Sequence, residues 1–118
     1  MGYIYEPAAH ALGRLKLPNN EVLSQFVDLV NQILLLENST IIWFAAQFDR
    51  TLSKYEDGES LVWRDCGALI ATISLVAECL GLNCCAVGIT GEPLISQMLS
   101  SEERVVGVGG LLLGSANN

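Results

Sequence analysis

The chain has 118 residues, thirteen acidic and six basic, for a formal charge of −7 with its single histidine neutral. That length sets one domain over residues 1–118, and the acidic balance excludes a surface for nucleic-acid backbones, which needs clustered Lys and Arg. An apolar fraction of 51 % excludes intrinsic disorder, and a chain of this size buries a core without the disulfide staples of a miniprotein.

Tyr3-Ile4-Tyr5 and Ala11–Leu15 flank Glu6-Pro7-Ala8-Ala9 and read as two short strands about a Pro-containing turn. Asn20 caps a helix in which Val22, Leu23, Phe26, Val27, Val30, Ile33 and Leu34 recur at i, i+3, i+4 and i+7, ending near Glu37-Asn38. Thr40–Ala46 is a continuous β-branched and aromatic run, which predicts a strand buried on both faces. Gln47–Glu59 is polar and irregular, with a turn signal at Asp57-Gly58. Leu61–Leu80 reads as a second helix. Its stretch Cys66–Ala77 carries no charge and is expected to be covered by protein all round, with Gly81 as the C′ residue. Cys84–Val87 is a short strand, Gly88–Gly91 a loop, and Glu92-Pro93 opens a short helix carrying Leu94, Ile95, Met98 and Leu99. Arg104–Leu113 closes the chain as a glycine-interrupted strand. Strands alternating with helices predict an α/β (α+β) fold, a mixed sheet flanked by helices with a central buried helix. That helix and the strand Thr40–Ala46 ask for more cover than so short a chain offers, so a homo- or hetero-oligomer is expected.

No stretch reaches the roughly 18 uncharged apolar residues of a membrane helix, and the start lacks the basic and apolar regions of a secretory signal. The expectation is a cytoplasmic protein with no membrane and no nucleic-acid partner. Cys66, Cys79, Cys84 and Cys85 form no C-x-x-C pair and His10 is distant, so no metal site is expected; Cys66, Cys79 and Cys84 read as small core residues. Gly107-Val108-Gly109-Gly110-Leu111-Leu112 begins like a dinucleotide loop, but Leu112 stands at the third glycine position and no helix follows. Ser53, Ser60 and Ser96 lack the context of a hydrolase elbow. On spacing alone Lys54-Tyr55, with Arg50 and Arg64 nearby, is a solvated loop pair.

Five stretches stand in one order over nearly the whole chain: Gly2–Leu12 (GYIYEPAAHAL), Phe48 and Arg50 ahead of Lys54-Tyr55, Arg64-Asp65-Cys66-Gly67 with Leu75–Leu82 (LVAECLGL), Cys85–Gly88 (CAVG), and Leu111–Gly114. Together they resemble the C-terminal half of nitroreductase-like flavoproteins, nearest to the SagB-type azoline dehydrogenases that oxidise thiazoline and oxazoline rings in modified peptides. The resemblance implies a partial nitroreductase-like fold and an FMN held between two protomers. It implies oxidation of an azoline in a peptide substrate by hydride transfer to the flavin, with Lys54 and Tyr55 as the base pair that takes the ring proton. Ala86, Val87, Gly88 and Ile89 would present backbone to the flavin ring. FMN's phosphate needs convergent cations or a helix N-terminus. The family's N-terminal half, with its Arg-rich helix, has no counterpart, so FMN is expected to be shared with a partner chain, or lost. Ala71 and Thr72 replace a Gln-Asn pair of the family helix, and no Lys or Arg follows Gly114. These departures define the alternative, a flavin-free structural or docking subunit that keeps the dimerising scaffold.

Overall fold

The structure is a computed structural model and describes residues 2–17, 20–34, 38–99 and 104–115. In chain order the elements are β1 (Tyr3–Glu6), β2 (Ala11–Arg14), α1 (Asn20–Ile33), β3 (Thr40–Ala46), α2 (Phe48–Leu52), α3 (Gly58–Cys79), β4 (Leu82–Val87), α4 (Leu94–Met98) and β5 (Val106–Ser115). The α+β class is as expected. β1 and β2 form a separate antiparallel hairpin, and the second sheet has the order β3-β5-β4. That sheet is antiparallel throughout rather than mixed.

The last strand in sequence is the middle one in space. Because β5 inserts between β3 and β4, its backbone is paired on both edges, and both of its faces are covered from Gly107 to Leu112. On one face α1 and α4 bury Phe26, Val30, Ile95 and Met98 against Val87 and Leu112. On the other, α2 and α3 bury Phe48, Val62 and Cys66 against Val108. The five-residue α2 lies inside the stretch expected to be irregular, and α3 starts at Gly58 rather than Leu61. α1 ends at Ile33; the expected end at Glu37 lies outside the described residues. Gly81 takes φ +70° just past α3, as a C′ glycine does.

Three further expectations are corrected. β3 is an edge strand, paired only with β5 among the described residues and partly exposed along its length. The doubly covered strand is β5, whose glycines make room where β3 offers bulk. Trp43 lies across Gly110, and a Cβ there would fall inside the indole ring. Cys79 is exposed on α3 and Cys84 half-buried, so only Cys66 is a core cysteine.

The third correction concerns α3. It packs on the sheet through the strip Val62, Cys66, Ile70 and Ala77, yet Leu75 is 70 % and Val76 51 % exposed. The charge-free helix is therefore covered on one side, not all round. By length and composition alone, its 22 residues are also apolar enough to cross a membrane. The chain exposes 8210 Å², about 2,000 Å² more than the roughly 6,200 Å² that size scaling gives for a closed domain of this mass. The Cα radius of gyration, 14.8 Å, likewise exceeds the roughly 13.5 Å of a compact chain of this length.

Candidate functional site

β3 and β4 both run antiparallel to β5 and so parallel to each other, and both end beside the start of β5. The two segments singled out by sequence, the turn after α2 and the loop after β4, therefore leave the sheet at the same end. β3 runs on to the level of Val106, whereas Val87 pairs with Gly110, so β3 extends farther by several residues.

The turn that carries Lys54 and Tyr55 is fixed by its backbone. The Ser53 N–H donates to Asp49 O, and those of Lys54 and Tyr55 both donate to Thr51 O at 3.1 Å. The Ser53 hydroxyl donates to Arg50 O at 2.8 Å. Underneath, Phe48 is buried and its ring lies 5.9 Å from that of Trp63 on α3. The Lys54 and Tyr55 side chains themselves are exposed.

The loop after β4 is pinned toward the opposite face of the sheet. Ile89 packs against the cluster under α1 and α4, and the Trp43 indole N–H donates to Thr90 O at 2.8 Å. Trp43 is itself held edge-on to Phe26, with ring centroids 4.9 Å apart. Val87 is buried, Ala86 and Gly88 are exposed, and a Cβ placed on Gly88 would meet nothing within 4 Å. That backbone is open to a flat ligand. The structure thus brings Ala86–Ile89 and Lys54-Tyr55 to one end of the sheet but on different layers.

Sequence reasoning missed two parts of this end. Glu92 ties the loop, α4 and β5 together. Its carboxylate accepts from the Ser96 hydroxyl at 2.6 and 2.7 Å, from the Ser96 N–H at 3.3 Å and from the Gly107 N–H at 2.5 Å. The signal was a Glu-Pro at a helix start with Ser four residues on. The second part is an open cleft of about 240 Å³ lined by Phe48, Glu59, Trp63, Arg104 and Val106. Arg104 stands 6.0 Å from the Phe48 ring centroid and 3.8 Å from the Asp49 carboxylate. That ion pair is solvent-exposed and worth at most a fraction of a kcal/mol. The cleft's residues come from α2, α3, the segment before β5 and the first residue of β5, so no local pattern announces it.

Cys66 does not offer a reactive thiolate. Burial pushes its thiol above the ordinary value, and its Sγ donates to Val108 O at 3.6 Å. Among the described residues no group of three or more His, Cys, Asp or Glu is placed to hold a metal ion.

A family model described as the nitroreductase family matches residues 3–114. The chain belongs to the nitroreductase family. No curated protein and no solved structure matches it. Membership places this nitroreductase-family chain, at the level of class, among flavin-dependent oxidoreductases, and the match spans both segments expected to serve the flavin. The chain's own residues fit FMN in part. Gly88 leaves open backbone for a ring, but the cleft is smaller than the roughly 300–1,000 Å³ of sites that engulf a cofactor. The cations that a phosphate would need are spread along the chain: Arg14 and Lys16 belong to the hairpin region, Arg50 to α2, Lys54 to the turn, Arg64 to α3, and Arg104 faces Asp49. The N-terminus of α3 carries Glu56, Asp57 and Glu59, which disfavour an anion where the helix dipole would attract one.

Proposed function

We propose that this chain is one part of an FMN-dependent oxidoreductase resembling the azoline dehydrogenases of peptide modification, with a flavin site completed by another protein surface. One observation carries it. The open backbone at Gly88 and the Lys54-Tyr55 turn share an end of the sheet, beside an α3 whose outer face is uncovered. Bound flavin supplies the hydride chemistry. Lys54 and Tyr55 take the proton released from the ring of a peptide substrate, while Ala86–Ile89 bound the flavin's position. The partner, a second copy or a different chain, supplies the phosphate ligands and dries the site. Four free cysteines suit the reducing cytoplasm. α3 is covered by protein rather than lipid, because it carries Glu59, Arg64, Asp65 and Glu78 and already seats one strip on the sheet. The test is the oxidation of an azoline-containing peptide by the assembled complex with FMN. Lys54→Ala and Tyr55→Phe should each abolish most of the rate while leaving the assembly intact; unchanged rates in both would remove them from the chemistry.

A second proposal is a flavin-free docking subunit. The acidic N-terminus of α3 and its Thr72, whose hydroxyl donates to Ala68 O within the helix at 2.8 Å, both favour it. For such a subunit the complex keeps full activity with Lys54→Ala and Tyr55→Phe, and never turns yellow through this chain.

A further inference from the structure

The cleft beside α2 has a chemistry that the flavin reading does not use. Phe48 is buried at the start of α2, and Trp63 of α3 lies against it, the two rings tilted by 60° with centroids 5.9 Å apart. Glu59 stands four residues before Trp63, one turn away on the same helix face. Its carboxylate has no ion-pair or hydrogen-bond partner among the described residues. The space these three share with Arg104 and Val106 is about 240 Å³, below the size of sites that engulf a whole ligand. It suits one long side chain, and one is already at its mouth. Arg104 Cζ lies 6.0 Å from the Phe48 centroid, the outer limit of a cation–π contact, and Nη2 lies 3.8 Å from Asp49 Oδ1. Both contacts are long and the Arg104 side chain is 61 % exposed, so a competing cation can reach the place it holds.

We propose that this cleft is the subsite for an arginine side chain of the peptide substrate, and that Arg104 is a tethered stand-in which the incoming guanidinium displaces. The rings of Phe48 and Trp63 offer faces to a planar cation, and the Glu59 and Asp49 carboxylates accept from its forked N–H groups. With Arg104 swung away, the charges left beside the cleft are those two carboxylates, on a chain of −7. That field draws a cationic side chain and repels an anionic one. Position ties the cleft to the reaction. Val106 pairs with Ala46 where β3 ends, and Phe48 opens the helix whose following turn carries Lys54-Tyr55. Lys54 comes six residues after Phe48, at most about 9 Å along a helical path, which an extended peptide covers in roughly three residues. An arginine in the cleft therefore sets a ring about three residues along the substrate beside the Lys54-Tyr55 pair.

The inference rests on the reading of this chain as peptide-modifying and names one feature of that substrate. Its first test needs neither FMN nor an azoline, so the two are separable. The full chain is titrated with N-acetyl-arginine amide while the Trp63 indole N–H is followed by NMR; the Trp43 indole, bonded to Thr90 O, is the internal reference. The Trp63 signal should shift saturably in the millimolar range while that of Trp43 stays, and the uncharged N-acetyl-norleucine amide should bind at least about threefold more weakly. Glu59→Gln, an exposed change that should leave circular dichroism unaltered, should weaken binding about threefold, more at low salt than at high. Arg104→Ala should tighten it by about two- to fivefold, because the resident competitor is gone. Arg14→Ala removes the same charge on the separate hairpin and should leave the affinity unchanged. In the assembled complex with FMN, an azoline peptide with arginine about three residues from the ring should show a lower KM than its norleucine counterpart at equal kcat. Equal binding of the arginine and norleucine amides overturns the proposal, as does weaker binding in Arg104→Ala, or tightening matched by Arg14→Ala. Arginine binding at Trp63 without any azoline oxidation keeps the cleft and removes the proposed reaction; oxidation indifferent to the arginine keeps the reaction and removes the subsite.

Discussion

Gly110→Ala probes the point where the fold and the candidate site are joined. Gly110 is paired to Trp43 of β3 on one side and to Val87 of β4 on the other, so its backbone is not free to retreat. A Cβ would collide with the indole Cε3 and Cδ2 atoms and with Ile42 O. Overpacking of this kind costs about 1–3 kcal/mol. If the ring yields instead, it gives up its hydrogen bond to Thr90 and its edge contact with Phe26, each about 1 kcal/mol. Either route gives an expectation of about 2 kcal/mol. With a urea slope of about 1.5 kcal/mol per molar, the unfolding midpoint falls by more than about 1 M. Gly88→Ala is the matched control: its Cβ meets nothing within 4 Å, so the stability should hold to within about 0.5 kcal/mol. The decisive comparison repeats Gly110→Ala in a Trp43→Leu background, where relief of the ring clash should cut the cost by at least about 1 kcal/mol. An identical cost in both backgrounds would refute the claim that Trp43 fills the space over Gly110.

Three further expectations concern the same end of the sheet and the core beneath it. Glu92→Gln removes a carboxylate that gathers the Ser96 hydroxyl and the Ser96 and Gly107 N–H groups. It should cost about 1–3 kcal/mol and raise amide exchange in α4 and at Gly107 more than in α1. Cys66 has a folded thiol value raised by burial, so the neutral thiol favours the fold. That contribution is complete below the unfolded value of about 8.5 and is lost as pH climbs toward and through the folded value. Alkaline unfolding should therefore be less steep in Cys66→Ala, and a maleimide should label Cys79 and Cys85 at once but Cys66 only on unfolding. Lys54→Ala and Tyr55→Phe alter exposed side chains of a backbone-held turn and should change stability by less than about 0.5 kcal/mol. A large loss in chemical denaturation would mean that the turn serves the fold rather than a reaction.

Local pattern carried most of the elements. The apolar repeat from Val22 to Val30, the TIIWFAA run and the Leu-Gly end of α3 each specify their element within one segment, and they stand where expected. The errors share one physical origin: cover is a property of the assembled chain. TIIWFAA has the composition of a central strand, yet β5 arrives last and takes the middle, so an edge position falls to β3. A charge-free helix asks for cover, and only its Val62–Cys66–Ile70–Ala77 strip receives it. The candidate site was half legible. Lys54-Tyr55 and Ala86–Ile89 were visible through order and spacing, and the antiparallel register brings them to one end. What holds that end, Trp43 on Thr90 and Glu92 on Gly107, depends on contacts 47 and 15 residues apart, which no periodicity encodes. The opposed layers of the two segments follow from the choice of sheet face, also unwritten in either segment.

The most direct measurement is quenching of FMN fluorescence by the purified chain, titrated in parallel with sedimentation so that bound flavin is compared with assembly state. The expected result is no saturable quenching by the lone chain, and saturation that appears only in step with a completed assembly. Tight, stoichiometric FMN binding by a monomer would show that the chain already anchors the phosphate, and would contradict the account at its root.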